Sequence, residues 1–256
     1  MPASLELPLS RQVAERLPRN AVPALHANFF RWLEAGNPAF AHALDAGDGP
    51  KPFTVSPLFL SRDWASFRIT LLQEGLLEML EAGIRARPEV DILGCRLPIL
   101  ADDLSIVAAE YERLLTDAAC DRQITLQFRT PMSFRSAGMD YPLPDPELVF
   151  DSYRRRWNTF APAHLTIPED WLDWLRRSVA VSRFDLRSEP MRFPDGLQIG
   201  CAGKVQYIVV GAAASDDDAV AVLNCLADYA FFCGTGRKTT QGMGQTVRLA
   251  GWSDDS

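Results

Sequence analysis

The sequence predicts an α+β fold of two tandem ferredoxin-like (RRM-like) domains, residues 1–118 and 119–256, with a glycine-rich loop near the C-terminus. Three observations predict it. Periodicity and punctuation in the first half spell β-α-β-β-α-β, and the second half repeats that order with extra helix after its first strand. The chain has 256 residues and is 47% apolar, enough for two small cores. Finally, Gly234–Gly244 holds four glycines in two G-x-G pairs, between a strongly apolar helical segment and an alternating strand.

Ser4 to Leu9 alternates and reads as the first strand. Asn20 is placed as an N-cap for a helix over Ala21–Ala35, with Val22, Leu25, Phe29 and Leu33 on its apolar face and Gly36 as its stop. Asn37-Pro38 opens a short second helix to about Ala46, with Pro at the first helical position. Phe53–Leu60 and Ala65–Leu72 read as a hairpin around a turn at Ser61-Arg62-Asp63. Glu74–Arg87 is helical, and Val90–Leu100 supplies the last strand of the first repeat. Ser105–Asp117 reads as a helical or irregular bridge.

The second repeat opens with an extended Arg122–Phe134, interrupted at Pro131. Helices follow at Pro146–Phe160 and Pro168–Arg177, then strands at Val179–Arg187 and Leu197–Val210. Gly200 and Gly203 mark a bend or bulge in the second of these. Asp216-Asp217-Asp218 suits the start of the helix Ala219–Phe232. Gln245–Leu249 closes the repeat as a strand.

Net charge is −7, with 11 basic against 16 acidic residues in 1–120 and 15 against 17 in 121–256. No overall field draws in a polyanion, so any nucleic acid must be held by local basic patches. Five cysteines without a C-x-x-C pair argue against a disulfide framework and a zinc site, and imply a reducing cytosol. No apolar run approaches the ~18 residues of a membrane span, and the N-terminus lacks a leader pattern. A cytoplasmic chain with no cofactor, no metal and no membrane partner is the expectation.

A glycine-rich turn can take positive φ and bring backbone N–H groups to an anion. Here Gly234, Gly236, Gly242 and Gly244 flank Arg237, Lys238 and Thr239, a set suited to phosphate. The two common nucleotide loops fail on order. A dinucleotide fingerprint and a P-loop both run strand, loop, helix, whereas this loop runs helix, loop, strand.

With these pieces in place the sequence resembles the CRISPR-associated repeat-RNA endoribonucleases of the RAMP superfamily. Three stretches carry the match: GTGRKTTQGMG (234–244), KPFTVSPL (51–58), and FRTPMSFRSAG (128–138) followed by PELVFDSYRRRWNTFAP (146–162). The resemblance implies a precursor CRISPR RNA as partner, with interference-complex subunits receiving the product. It also implies metal-free cleavage by 2′-hydroxyl attack, leaving a 2′,3′-cyclic phosphate and a 5′-hydroxyl. A homodimer stays open.

Such chemistry needs a base, an acid and a cation, and histidine suits the proton transfers because its pKa of about 6.5 lies near neutrality. The family's usual catalytic histidine position holds Asp45, and Phe30 stands where many relatives have tyrosine. At pH 7 a carboxylate of ordinary pKa (~3.9) accepts a proton but donates poorly. Lys51 takes the cation's role by resemblance. His42 is either a surface histidine or a proton-transfer group beside Asp45. His26 is either a satisfied core histidine or a catalytic one, a position the resemblance favours. His164 is a loop residue.

The RNA contacts expected are Gly234, Gly236, Arg237, Lys238, Thr239, Gly242 and Gly244 of the loop, with Arg129, Arg135 and Arg155. Arg154-Arg155-Arg156 spread too widely around a helix to face one ligand. Trp171 and Trp174 read as core, and Arg176-Arg177 as an exposed face. Two other functions remain open at this level: a non-cleaving RNA-binding or assembly subunit of the same fold, and a module for a small anionic metabolite.

Overall fold

The computed structural model describes residues 1–9, 21–47, 49–60, 64–100, 103–194, 196–211 and 216–253. The Asn20 cap and the Ser61-Arg62-Asp63 turn lie outside the described residues. The chain divides into two compact units, 1–109 with 240–242, and 110–239 with 243–256.

In the first unit, β1 (Ala3–Leu9) alternates Leu5, Leu7 and Leu9 into the core and pairs antiparallel with β4 (Ala65–Leu71). The sheet order is β2-β4-β1-β7, with β2 Phe53–Val55 and β7 Ser105–Ala108, while β3 (Phe59–Leu60) also pairs β4. Helices α1 (Val22–Gly36), α2 (Pro38–Ala46) and α3 (Leu76–Ala86) belong to this unit. Phe29, Trp32 and Leu33 of α1 join Leu76, Leu80 and Ile84 of α3 in the core. Full burial of such side chains is worth roughly 1.5–3 kcal/mol each. Gly83 lets α1 and α3 approach backbone to backbone, because a Cβ there would collide with the Trp32 carbonyl. The buried Asn28 amide ties α1 to Asp91, accepting from its N–H at 3.0 Å and donating to its carbonyl at 2.7 Å.

Three expectations need correction. Val90–Leu100 does not close the sheet: it is a separate hairpin, β5 (Glu89–Ile92) with β6 (Cys95–Pro98). Leu93 (φ 54°) and Gly94 (φ 88°) make its two-residue turn. Such a turn needs positive φ at both centres and usually reads Asn-Gly, so leucine in the first place hides it. The closing strand is β7, inside the segment read as helical or irregular. It is an edge strand with exposed side chains, so it carries no inside–outside alternation to read. Its place comes from backbone pairing with β1, Ala3 opposite Ala108. The expected strand 53–60 is likewise interrupted between Val55 and Phe59.

The second unit has the sheet order β11-β12-β8-β13, formed by β11 Val179–Phe193, β12 Gly196–Val209, β8 Gln123–Met132 and β13 Thr246–Leu249. Taking the main strands in chain order, both sheets run second-third-first-fourth, the ferredoxin-like arrangement. The fold is thus α+β with tandem ferredoxin-like repeats, as expected. Between β8 and β11 come a small hairpin, β9 (Phe134–Ser136) with β10 (Met139–Tyr141), and the extra helices α5 (Pro146–Phe160) and α6 (Asp170–Ser178). Helix α4 (Tyr111–Thr116) precedes β8, and α7 (Asp217–Cys233) precedes the glycine loop.

Asp145 and Asp216 cap α5 and α7, accepting from Glu147 N at 2.9 Å and from Ala219 N at 3.1 Å. Phe150, Tyr153 and Trp157 of α5 are fully buried with Tyr207 and Tyr229. The β11–β12 hairpin runs further than predicted, to Phe193 and Gly196. The expected irregularity at Gly200 and Gly203 is a register shift between Cys201 and Gly203 against β8. Trp171 and Trp174 are buried, as their spacing implied.

Candidate functional site

In the first unit, chemistry gathers around His26. It sits on α1 one turn before Phe30, so both face one way. The half-buried imidazole lies 5.1 Å from the Phe30 ring and 5.8 Å from Phe53, centroid to centroid, and Phe53 stacks on Phe29 at 4.0 Å. Burial among these rings lowers the His26 pKa from its ordinary 6.5. The Asp45 carboxylate raises it and the Lys51 ammonium lowers it further, with burial the largest influence. At neutral pH His26 is therefore an uncharged imidazole, able to accept a proton.

Lys51 does not sit as a free cation. Its Nζ donates to the carbonyls of Leu44 (2.6 Å), Asp45 (3.1 Å) and Gly47 (2.5 Å). An ammonium has three protons, and these acceptors occupy all of them. The last carbonyls of α2 lack intrahelical partners and carry the negative end of the helix dipole, so a lysine there satisfies both needs. Asp45 is exposed at the same helix end, and His42 is exposed one turn earlier.

In the second unit, the glycine loop is set by packing against the end of β8. A Cβ at Gly236 (φ 73°) would collide with the Ser133 carbonyl, and one at Gly244 (φ 64°) with the Thr235 carbonyl. The loop folds back on itself through Thr235 N to Gly244 O at 2.8 Å. It is stitched to the end of β8 by Gly244 N to Pro131 O at 2.9 Å, and to the residue just after the strand by Arg237 N to Ser133 O at 2.9 Å. The N–H groups of Gly234, Met243 and Gln245 also have acceptors within the chain. The glycines thus give close packing, and these six N–H groups are engaged by protein. Gly242 falls in the short stretch that clusters with the first unit, where it meets Val22 and Pro57.

The loop cations are half-buried and engaged. Arg237 pairs with Asp140 at 2.6 Å, and the Lys238 ammonium stands 4.1 Å over the Phe193 ring. Lys238 has φ 50°, a left-handed conformation that side chains other than glycine avoid. Thr239, expected as an RNA contact, is buried, and its hydroxyl oxygen accepts from Arg156. Arg129 and Arg135 are exposed, on β8 and β9.

On α5, Arg155 is 75% exposed and pairs with Asp151 at 2.5 Å, while Arg154 binds the same carboxylate at 2.9 Å. The arginine that reaches the loop is Arg156. It donates to Gly236 O at 3.1 Å, to Thr239 Oγ1 at 2.9 Å and to Cys233 O. Beneath it runs a buried hydroxyl chain, Tyr153 to Thr235 at 2.5 Å and Thr235 to Thr246 at 2.6 Å. Sequence reasoning missed Arg156, although a signal existed. Phe150, Tyr153 and Trp157 centre the buried face of α5, and at about 100° per residue Arg155 falls opposite it while Arg156 falls on its flank.

Comparison with known proteins bears on both units. The family model for CRISPR-associated endoribonuclease Cas6 matches residues 126–246, which includes most of β8, with α5, Arg156 and the glycine loop. A Cas6 product complex is 26% identical with a TM-score of 0.81, covering 97% of this chain and 99% of that one. The chain resembles the Cas6 endoribonucleases in sequence and in fold. A Cas6 substrate-mimic complex is also 26% identical, with a TM-score of 0.74 and coverage of 97% and 99%. Thermus thermophilus Cas6 is 25% identical, with a TM-score of 0.75 and coverage of 97% and 98%. Among curated protein sequences none matches the Cas6-like chain. Among its described residues no three His, Cys, Asp or Glu side chains gather to hold a metal ion, and no helix is long and apolar enough to cross a membrane.

Proposed function

We propose that this Cas6-like chain cleaves CRISPR repeat RNA, using the RNA's own 2′-hydroxyl and no metal ion. The observation that carries the reading is His26, an imidazole kept neutral by burial, with Asp45 and Lys51 close enough to bias its titration. In the step proposed, His26 takes the 2′-hydroxyl proton as the 2′ oxygen attacks the adjacent phosphorus. The P–O5′ bond breaks and the 5′ oxygen takes a proton, leaving a 2′,3′-cyclic phosphate and a 5′-hydroxyl. Asp45 steadies the imidazolium formed. Lys51 holds the end of α2 that carries Asp45, and His42 is the remaining proton donor on that helix. We assign the cut to residues 1–118. Residues 119–256 hold the RNA through Arg237 and Lys238, with Arg129, Arg135 and Arg155 as outlying phosphate contacts.

A second reading, a non-cleaving RNA-binding subunit, has its own support. Lys51's protons are taken by three carbonyls, and Asp45 stands where the family's usual histidine would. One assay separates the two. The protein is incubated with its repeat RNA in chelator, and the product's 3′ end is examined by phosphatase and kinase treatment. A single cut with a cyclic phosphate, lost about 10²–10⁴-fold in His26→Ala, supports the nuclease. Tight retention with no cut supports the subunit. An unchanged rate in His26→Ala removes His26 from the chemistry.

A further inference from the structure

We infer that Arg156 is a positioning residue for the RNA-contacting loop: it holds the loop's peptide planes so that Arg237 and Lys238 present their charges, and does not itself grip phosphate. This rests on reading the loop as an RNA contact. Its guanidinium reaches three acceptors spread over seven residues, Cys233 O, Gly236 O and Thr239 Oγ1.

Two peptide planes are fixed at both ends by this arrangement. The 236–237 plane has its carbonyl on Arg156 and its N–H on Ser133 O. The 233–234 plane has its carbonyl on Arg156 and its N–H on Ala230 O. Neither plane can rotate without breaking a bond at each end. The first carries the Cα from which the Arg237 side chain springs. The next residue is Lys238, whose positive φ is unfavourable for lysine by itself and so needs outside support. On the third side, Thr239 Oγ1 fixes the residue that follows Lys238. The two loop cations are therefore bracketed by groups bonded to one rigid, planar fork.

A fork with donors in fixed directions does this, and a lysine does not. Lysine keeps the charge but offers a single point of donors on a flexible stem. That difference separates positioning from direct phosphate contact. If Arg156 met phosphate, Arg156→Lys would retain most of the affinity, and Arg156→Gln would flatten the dependence of log Kd on log salt by about 0.7.

The test is fluorescence-anisotropy binding of the repeat RNA in chelator across a salt series. The variants are Arg156→Lys, Arg156→Gln, Lys238→Gln, Arg237→Gln and the double Arg156→Lys/Lys238→Gln. We expect Arg156→Lys to weaken binding tenfold or more, the scale of one lost charged hydrogen bond. The double variant should be little weaker than the worse single, because the two act as one unit. Where the chain cleaves, the single-turnover rate at saturating RNA should stay within about twofold, a split that a general loss of structure would not give.

Wild-type binding by Arg156→Lys, or losses that multiply in the double variant, would overturn the inference. Should both Arg156 variants fail to fold, Thr239→Val removes one acceptor at the same shape. It should bind about threefold weaker or worse, and binding as tight as wild type would overturn the inference. If Arg237→Gln and Lys238→Gln both bind as wild type, the loop is no RNA contact, and the underlying reading falls as well.

Discussion

His26 makes the sharpest statements at the scale of one residue. Its pKa is held below 6.5, so between that lowered value and 6.5 the unfolded chain binds more protons there than the folded one. Stability is then unaffected by this group above pH 6.5 and is lost as pH falls through 6.5 towards the lowered value. Thermal unfolding of His26→Gln against wild type between pH 7.5 and 5 should show the mutant losing less on acidification. If His26 is the base, the acid limb of kcat/KM lies below pH 6.5, because that limb reports the free protein. Asp45 raises this pKa, so Asp45→Asn should move the limb to lower pH. A limb that stays put would separate Asp45 from the imidazole. Asp45→His, which puts an imidazole where the resemblance implies one, should keep or raise the cleavage rate. Lys238 offers a stability test of the same grain. Glycine tolerates its φ of 50°, so Lys238→Gly should stabilise the fold by about 0.5–1 kcal/mol while weakening RNA binding. A loss of stability would mean that its place over Phe193 outweighs the backbone strain.

Elements decide how far such side chains can be read in advance. Helix α2 follows from Asn37-Pro38, a cap and a first-turn proline that local rules place correctly, and the Asn37 carbonyl oxygen accepts from Phe40 N at 3.1 Å. What ends α2 is Lys51, five residues beyond the helix, and no local rule predicts an ammonium reaching back to three carbonyls. Lys51→Met should therefore cost about 1–3 kcal/mol of stability, read by chemical denaturation, before any effect on cleavage is considered. An unchanged midpoint with lost cleavage would return Lys51 to the role of a reaction cation. The same contrast runs through the fold. Strands that bury one face, such as β1 with its alternating leucines, were legible, and so were helices with apolar stripes. Strand β7 was not, because pairing with β1 alone makes it a strand, and its exposed side chains carry no pattern. Residue types in the glycine loop were legible; the destination of its N–H groups was not, since Ser133 and Pro131 lie about 100 residues away in sequence. His26 was favoured by the resemblance alone; that the rings of Phe30 and Phe53 stand beside it depends on Phe53, a residue of another element that the spacing on α1 cannot supply.

Taken whole, the molecule poses an electrostatic problem for any RNA reader. A net charge of −7 repels a polyanion at long range, and the 1–120 half carries the larger acidic excess. The attraction must then come at short range, from a few cations held in place. Three of those cations already have partners: Arg237 with Asp140, Lys238 with Phe193, Arg155 with Asp151. Each exchange of an internal partner for phosphate returns less than a free cation would, so the number of phosphates neutralised should be small. Binding should fall with salt along a line whose slope gives that number, about 0.7 per phosphate for a single strand. Neutralising Lys238 should reduce the slope by about one contact. Asp140→Asn, which frees Arg237, should tighten binding and steepen the line. Association should also lack electrostatic acceleration, with a rate constant of about 10⁵–10⁷ M⁻¹s⁻¹ that changes little with ionic strength, the salt dependence residing in dissociation. Stopped-flow measurement across a salt series decides it. A fast association that collapses with salt would mean that the acidic surface lies well away from the path the RNA takes, and that local charge alone steers it in.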